Sequence, residues 1–71
     1  MKIEYDAEID AAYIRMSDKQ PLGVIEIAEG IAIDIGENDA LIGIEILDAS
    51  KRFPLETLFR FELDRSLIAK F

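Results

Sequence analysis

The stretch Ile31-Ala32-Ile33-Asp34-Ile35-Gly36-Glu37-Asn38-Asp39-Ala40-Leu41-Ile42-Gly43-Ile44-Glu45-Ile46 decides the fold. Isoleucine stands at every second position on both sides of a short polar break. Successive side chains of an extended chain point to opposite faces of a sheet, so this spacing means strands with one apolar face. Asp34 and Glu45 fall on the opposite, wetter face. Gly36, Glu37, Asn38 and Asp39 are turn-prone, so the two runs form an antiparallel hairpin.

Working outward, the same period of two recurs. Ile25 and Ile27 flank Glu26, with Glu29-Gly30 short enough for a tight hairpin into Ile31. Ala12, Ile14 and Met16 alternate with Tyr13 and Arg15. Ile3 and Tyr5 alternate with Lys2, Glu4 and Asp6. Asp6-Ala7-Glu8-Ile9-Asp10 is a polar turn between these two strands, and Asp18 to Gly23, with Pro21, links the second strand to the third. Twelve of the 71 residues are Ile, a β-branched type suited to a pleated, half-buried surface. Short connections predict a meander, because parallel pairing needs long crossovers.

After Asp48 the alternation breaks. Pro54 suits the first position of a helix, and Leu55, Leu58 and Phe59 follow at helical spacing, which predicts a short helix from Pro54 to Phe59. Phe59, Phe61 and Leu63 then alternate with Arg60 and Glu62 as a sixth strand. The competing reading is one helix from Pro54 to about Ala69, through Leu55, Phe59, Leu63 and Leu67. The expected fold is therefore α+β: an antiparallel β-meander of five or six strands, with a short C-terminal helix packed on its Ile face. Residues 1–71 form a single domain, with 1–48 as the meander and 49–71 as a helix-containing C-terminal segment. The expected core is Ile3, Tyr5, Ile14, Ile25, Ile27, Ile33, Ile35, Ile44, Ile46 and Leu58.

Composition narrows the chemistry. Fifteen acidic residues against eight basic ones give a net charge of −7, and there is no Cys, His or Trp. That excludes a disulfide framework, a Cys/His zinc site, a Cys nucleophile and a Ser-His-Asp triad. The pI near 4.3 argues against a nucleic-acid partner, since phosphate binding runs on basic charge. Apolar residues make up 51% of the chain, too many for a disordered acidic tail. No signal peptide and no apolar run of membrane-span length are visible, so a cytoplasmic protein, complete as a single gene product and without membrane contact, is expected.

Two blocks carry a family resemblance. Met1-Lys2-Ile3-Glu4-Tyr5-Asp6 with Asp10-Ala11-Ala12-Tyr13-Ile14-Arg15-Met16-Ser17 resembles the opening of domain-of-unknown-function family 2283, the YuzE-like small proteins. Leu41 to Arg52 resembles its closing signature. The resemblance covers residues 1 to 53 and implies a compact bacterial or archaeal domain without an assigned activity. Some relatives lie beside small toxin-like proteins, which implies an antitoxin-like or accessory role. Ala12 departs from the family pattern, where a larger aliphatic residue usually stands.

The charge is uneven. Residues 1–48 carry twelve acids and three bases, a net of −9, whereas residues 49–71 carry three acids and five bases, a net of +2. With the Ile rows inward, Glu4, Glu26, Asp34 and Glu45 project from the opposite face with Arg15 among them. That face is either a solvated surface discouraging aggregation or a site for a basic partner protein or a hard cation. Asp34, Asn38 and Glu45 match positions 1, 5 and 12 of an EF-hand loop, but Gly36 offers no oxygen at position 3 and Asp39 replaces the glycine needed at position 6. Paired acids such as Asp6 with Asp10, or Glu26 with Glu45, could do acid/base work only if burial split their pKa values.

Ser50, Lys51 and Arg52 form a possible anion contact, or a structural run in which Asp48 or Ser50 caps the following turn. The many apolar residues from Phe53 onward exceed what one sheet face needs, which predicts a homo-oligomer, a dimer. The leading expectation is a small acidic non-enzymatic interaction domain. A small-molecule or divalent-cation-binding domain using Glu26, Asp34 and Glu45, and a cofactor-free enzyme, are the alternatives. No cofactor is implied.

Overall fold

The alternation is realised as five strands in the computed structural model, which describes residues 1–68. They are β1 (Lys2–Asp6), β2 (Ala11–Arg15), β3 (Gly23–Ala28), β4 (Ile31–Ile35) and β5 (Leu41–Ile46). All neighbours pair antiparallel. The Glu29-Gly30 hairpin forms as expected between Ala28 and Ile31. Gly30 there takes φ 81°, a conformation open to a residue without a Cβ. The Gly36–Asp39 break also forms a turn, with Asn38 and Asp39 in the left-handed region at φ 58° and 59°, which Asn and Asp tolerate better than most residues.

The strand order corrects the meander. It runs β1-β2-β5-β4-β3, so β2 pairs with β5 and not with β3. Strands β3, β4 and β5 are consecutive neighbours, and β2 lies beside the last of them by a longer connection, a Greek-key relation. That connection crosses the ends of β5 and β4. Met16 and Ser17 donate their backbone N–H groups to the Ile42 carbonyl at 2.8 and 3.1 Å, and Leu22 donates to the Ile35 carbonyl at 2.8 Å. Strand β5 thereby becomes central.

One row of isoleucines crosses the whole sheet. Ile3 lies opposite Ile14, Ile14 opposite Ile44, Ile44 opposite Ile33, and Ile33 opposite Ile25. Cross-strand β-branched pairs of this kind are the unit that stabilises a sheet. The apolar face is therefore where the alternation puts it. Its burial is not. Among the described residues the buried apolar side chains are Ala12, Ile42 and Ala49, whereas Ile3, Tyr5, Ile25 and Ile27 of the expected core are exposed. The remaining expected core positions are half-buried.

The reason is the size of the cover. After the last strand helical structure is minor: α1 (Ala49–Arg52), a 3₁₀ helix at Leu55–Phe59, and α2 (Arg65–Ile68). Four- and five-residue turns cannot blanket five strands. The expected α-helix from Pro54 to Phe59 is the 3₁₀ helix, with Pro54 extended just ahead of it. Neither the sixth strand nor the long helix forms among the described residues; Ala69 and Phe71 lie outside them.

Instead of covering the sheet, α1 ties two hairpin tips together. The Ala49 N–H donates to the Asp10 carbonyl at 2.9 Å in the β1–β2 turn. Arg52 Nε donates to the Leu47 carbonyl at 2.8 Å, and its Nη2 donates to the Glu29 carbonyl in the β3–β4 turn. Two connections far apart in sequence are thus held at one end of the sheet.

Candidate interaction site

The strand registers put the charged candidates on one face. Glu4 lies opposite Tyr13, Tyr13 opposite Glu45, Glu45 opposite Ala32, and Ala32 opposite Glu26. The next row holds Arg15 opposite Gly43, and Gly43 opposite Asp34. Glu4, Arg15, Glu26, Asp34 and Glu45 therefore share the face opposite the isoleucines.

Tyr13 organises this face. Its ring lies across Gly43, where an added Cβ would collide with the phenol. From there its hydroxyl donates to Asp34 Oδ2 at 2.7 Å on β4. Burial, and then the hydrogen bond to the Asp34 carboxylate, hold the Tyr13 phenol above its ordinary pKa. Arg15 stacks over the same ring at 5.1 Å from its centroid and donates to Glu4 Oε1 at 3.2 Å. A guanidinium, an aromatic face and a carboxylate are thus already assembled within one strand pair.

Around the β1–β2 end lies an open depression of about 650 Å³, whose lining includes Glu4, Asp6, Glu8 and Glu45 with Tyr5 and Tyr13. Glu4, Tyr13 and Glu45 of the charged face border it together with Tyr5 and the β1–β2 turn residues Asp6 and Glu8. The β1–β2 turn itself is fixed by Asp10, which adopts φ 52°. Its carboxylate accepts from Tyr5 Oη at 2.7 Å, from Ser50 Oγ at 2.7 Å, and from the Ser50 N–H at 3.1 Å. The hydrogen bonds from the Ser50 and Tyr5 hydroxyls hold this carboxyl below the ordinary carboxylate range. The same bond to Asp10 pushes the Tyr5 phenol up.

The other candidates are placed as follows. Ser50 does not cap its own turn: its hydroxyl goes to Asp10. Asp48 occupies the capping position in a left-handed conformation without a side-chain cap bond. Arg52 is engaged with two backbone carbonyls, and Lys51 is exposed. Asp6 accepts from the Glu8 N–H at 2.9 Å and is not brought into a pair with Asp10. The EF-hand residues do not converge, since Asp34 bonds Tyr13 and Glu45 sits within β5. Among the described residues no group of three or more acidic side chains is placed to hold a metal ion.

The sequence reading missed Tyr13, Tyr5 and Asp10 as organisers. A tyrosine at a charged position of the alternation was the available signal for Tyr13, whereas Tyr5 stands among the apolar positions. Nothing local signals that Asp10 meets Ser50, forty positions away.

The profile of a family described as a protein of unknown function, DUF2283, matches residues 2–50. The chain belongs to that family. Its strands β1 to β5 and the start of α1 fall inside the match, so the DUF2283 portion is the sheet with the Asp10–Ser50 link. A protein of Methanosarcina mazei named as a hypoxanthine phosphoribosyltransferase is 46% identical over 54 residues, which are 76% of this chain and 43% of that protein. An uncharacterized protein of Methanocaldococcus jannaschii is 34% identical over 68 residues, 96% of this chain and 55% of that protein. The chain spans about half the length of these curated relatives. No solved structure matches it. Among the described residues no helix is long and apolar enough to cross a membrane.

Proposed function

We propose that this domain is a non-enzymatic interaction module, dimeric and cytoplasmic, whose carboxylate face receives a basic side chain of a partner protein in an antitoxin-like or accessory role. The observation that carries this is the open depression with Glu4, Asp6, Glu8 and Glu45 beside Tyr5 and Tyr13. A lysine or arginine entering it gains charge-assisted hydrogen bonds from the carboxylates and a cation–π contact from a ring face. Arg15, stacked on Tyr13 and bonded to Glu4, is an intramolecular instance of that pairing and supports the reading. The net charge of −9 over residues 1–48 would steer a basic partner toward it and penalise an acidic one. Ser50 and Arg52 serve in this reading as a clasp, with Lys51 as an outward charge. The phosphoribosyltransferase name belongs to the Methanosarcina relative, and that activity is not assigned to this chain.

The test is a titration with an arginine-rich peptide at low salt, followed by NMR. The Tyr5 and Tyr13 ring resonances should move, and Glu45→Lys or high salt should abolish the effect. Shifts that avoid both tyrosines, or that an acidic peptide reproduces, would overturn the reading.

A further inference from the structure

Among the described residues strand β3 ends the sheet, so one of its backbone edges has no neighbour there. Natural sheets blunt such edges with charges or proline. Strand β1, at the other end, alternates Lys2, Glu4 and Asp6 along its length, whereas β3 carries Glu26 as its single charge. Val24, Ile25 and Ile27 on β3 are 66%, 57% and 59% exposed.

The chain also holds a segment with the pattern of a strand and no sheet. Phe59, Phe61 and Leu63 alternate with Arg60 and Glu62 and are 87%, 71% and 57% exposed. Arg60 is already extended, at φ −104° and ψ 129°. Among the described residues no backbone hydrogen bond joins this segment to the chain's own sheet. The radius of gyration, 13.7 Å, exceeds the roughly 11 Å of a compact domain of this length.

We propose that residues 59–63 are an exchanged arm that adds as an antiparallel strand to the β3 edge of a second copy of this chain, each copy giving and receiving one arm. This rests on the dimeric part of the reading above and specifies its interface. Phe61 opposite Ile25 continues the isoleucine row by one more strand. The same register sets Arg60 opposite Glu26, an ion pair, and Glu62 opposite Val24. Backbone hydrogen bonds supply affinity and the alternate side chains supply register, as in other strand additions. The exchange is self-complementary, as two-fold symmetry requires, and it joins the +2 segment to the −9 sheet region.

Sedimentation equilibrium of the full chain tests this with the charge reversals Arg60→Glu and Glu26→Arg, both at exposed positions. The wild type should dimerise. Each reversal strikes the dimer twice and should weaken it by about tenfold. Mixing the two variants should restore dimerisation, because each arm then meets an edge of opposite charge on the other chain; pairing within one chain could not be rescued by mixing. A wild type monomeric at all concentrations overturns both the arm and the dimer. A dimer indifferent to both reversals, or unrescued by mixing, overturns the arm alone.

Discussion

Tyr13 on β2 reaches over Gly43 on β5 to donate a 2.7 Å hydrogen bond to Asp34 on β4. One side chain thereby links three strands, and it can do so because the strand between them has no Cβ in its path. Gly43→Ala should therefore destabilise the domain. Alanine in a strand gains roughly 0.5–1 kcal/mol over glycine in backbone entropy, but forcing a methyl into the phenol costs about 1–3 kcal/mol, so the clash wins. Tyr13→Phe should cost less, about 1 kcal/mol, for the lost hydrogen bond. Urea denaturation of both variants checks the order.

Asp10 should make the fold acid-sensitive in a way that depends on Ser50. Its carboxyl is held below the ordinary range chiefly by the Ser50 hydroxyl and then by Tyr5. A depressed folded-state pKa contributes stability that is present above the unfolded value, about 3.9, and is lost as pH falls through the folded one. Ser50→Ala should return the Asp10 carboxyl toward its ordinary value in a carbon-detected NMR titration. The same substitution should shift acid unfolding to higher pH.

The alkaline limb has the opposite sign. The Tyr13 phenol is raised by burial and by Asp34, so its contribution is complete below the unfolded tyrosine value near 10 and disappears as pH climbs through the folded one. Tyr13→Phe should flatten the loss of stability above that pH, read from thermal melts at successive pH values.

Arg52 should control how firmly the hairpin tips are held. Its guanidinium donates to Leu47 and Glu29 carbonyls at once, a fork that the single ammonium of lysine does not reproduce. Arg52→Lys should accelerate hydrogen exchange at the Leu47 amide, which bonds the Gly30 carbonyl at 2.8 Å. Exchange within the β1–β2 pair should change little.

Calcium should leave the β4–β5 turn unmoved. Asp34 is occupied by Tyr13, and Asn38 and Asp39 form a left-handed turn. Amide resonances of residues 34–39 that shift on calcium addition would contradict this placement of the turn.

The strands, both tight hairpins and the composition of the two faces were legible in the sequence, because a period of two assigns each side chain to a face without reference to its neighbours. Glu4, Arg15, Glu26, Asp34 and Glu45 could be grouped for the same reason. Which strands are neighbours could not be read this way. Any pairing that keeps isoleucine opposite isoleucine satisfies the alternation, so β2 beside β3 and β2 beside β5 look alike along the chain. The structure decides between them through contacts of long sequence separation: Tyr13 needs the bare flank of Gly43, and Ala49 and Ser50 need Asp10. The expected core failed on the same ground. Ile25 and Ile27 lie on the apolar face, but burial needs a covering layer, and residues 49–68 fold into turns too short to supply one. Local chemistry thus determined the elements and their faces, while their order, their clasp and the bare β3 edge were decided by packing between residues the sequence keeps apart.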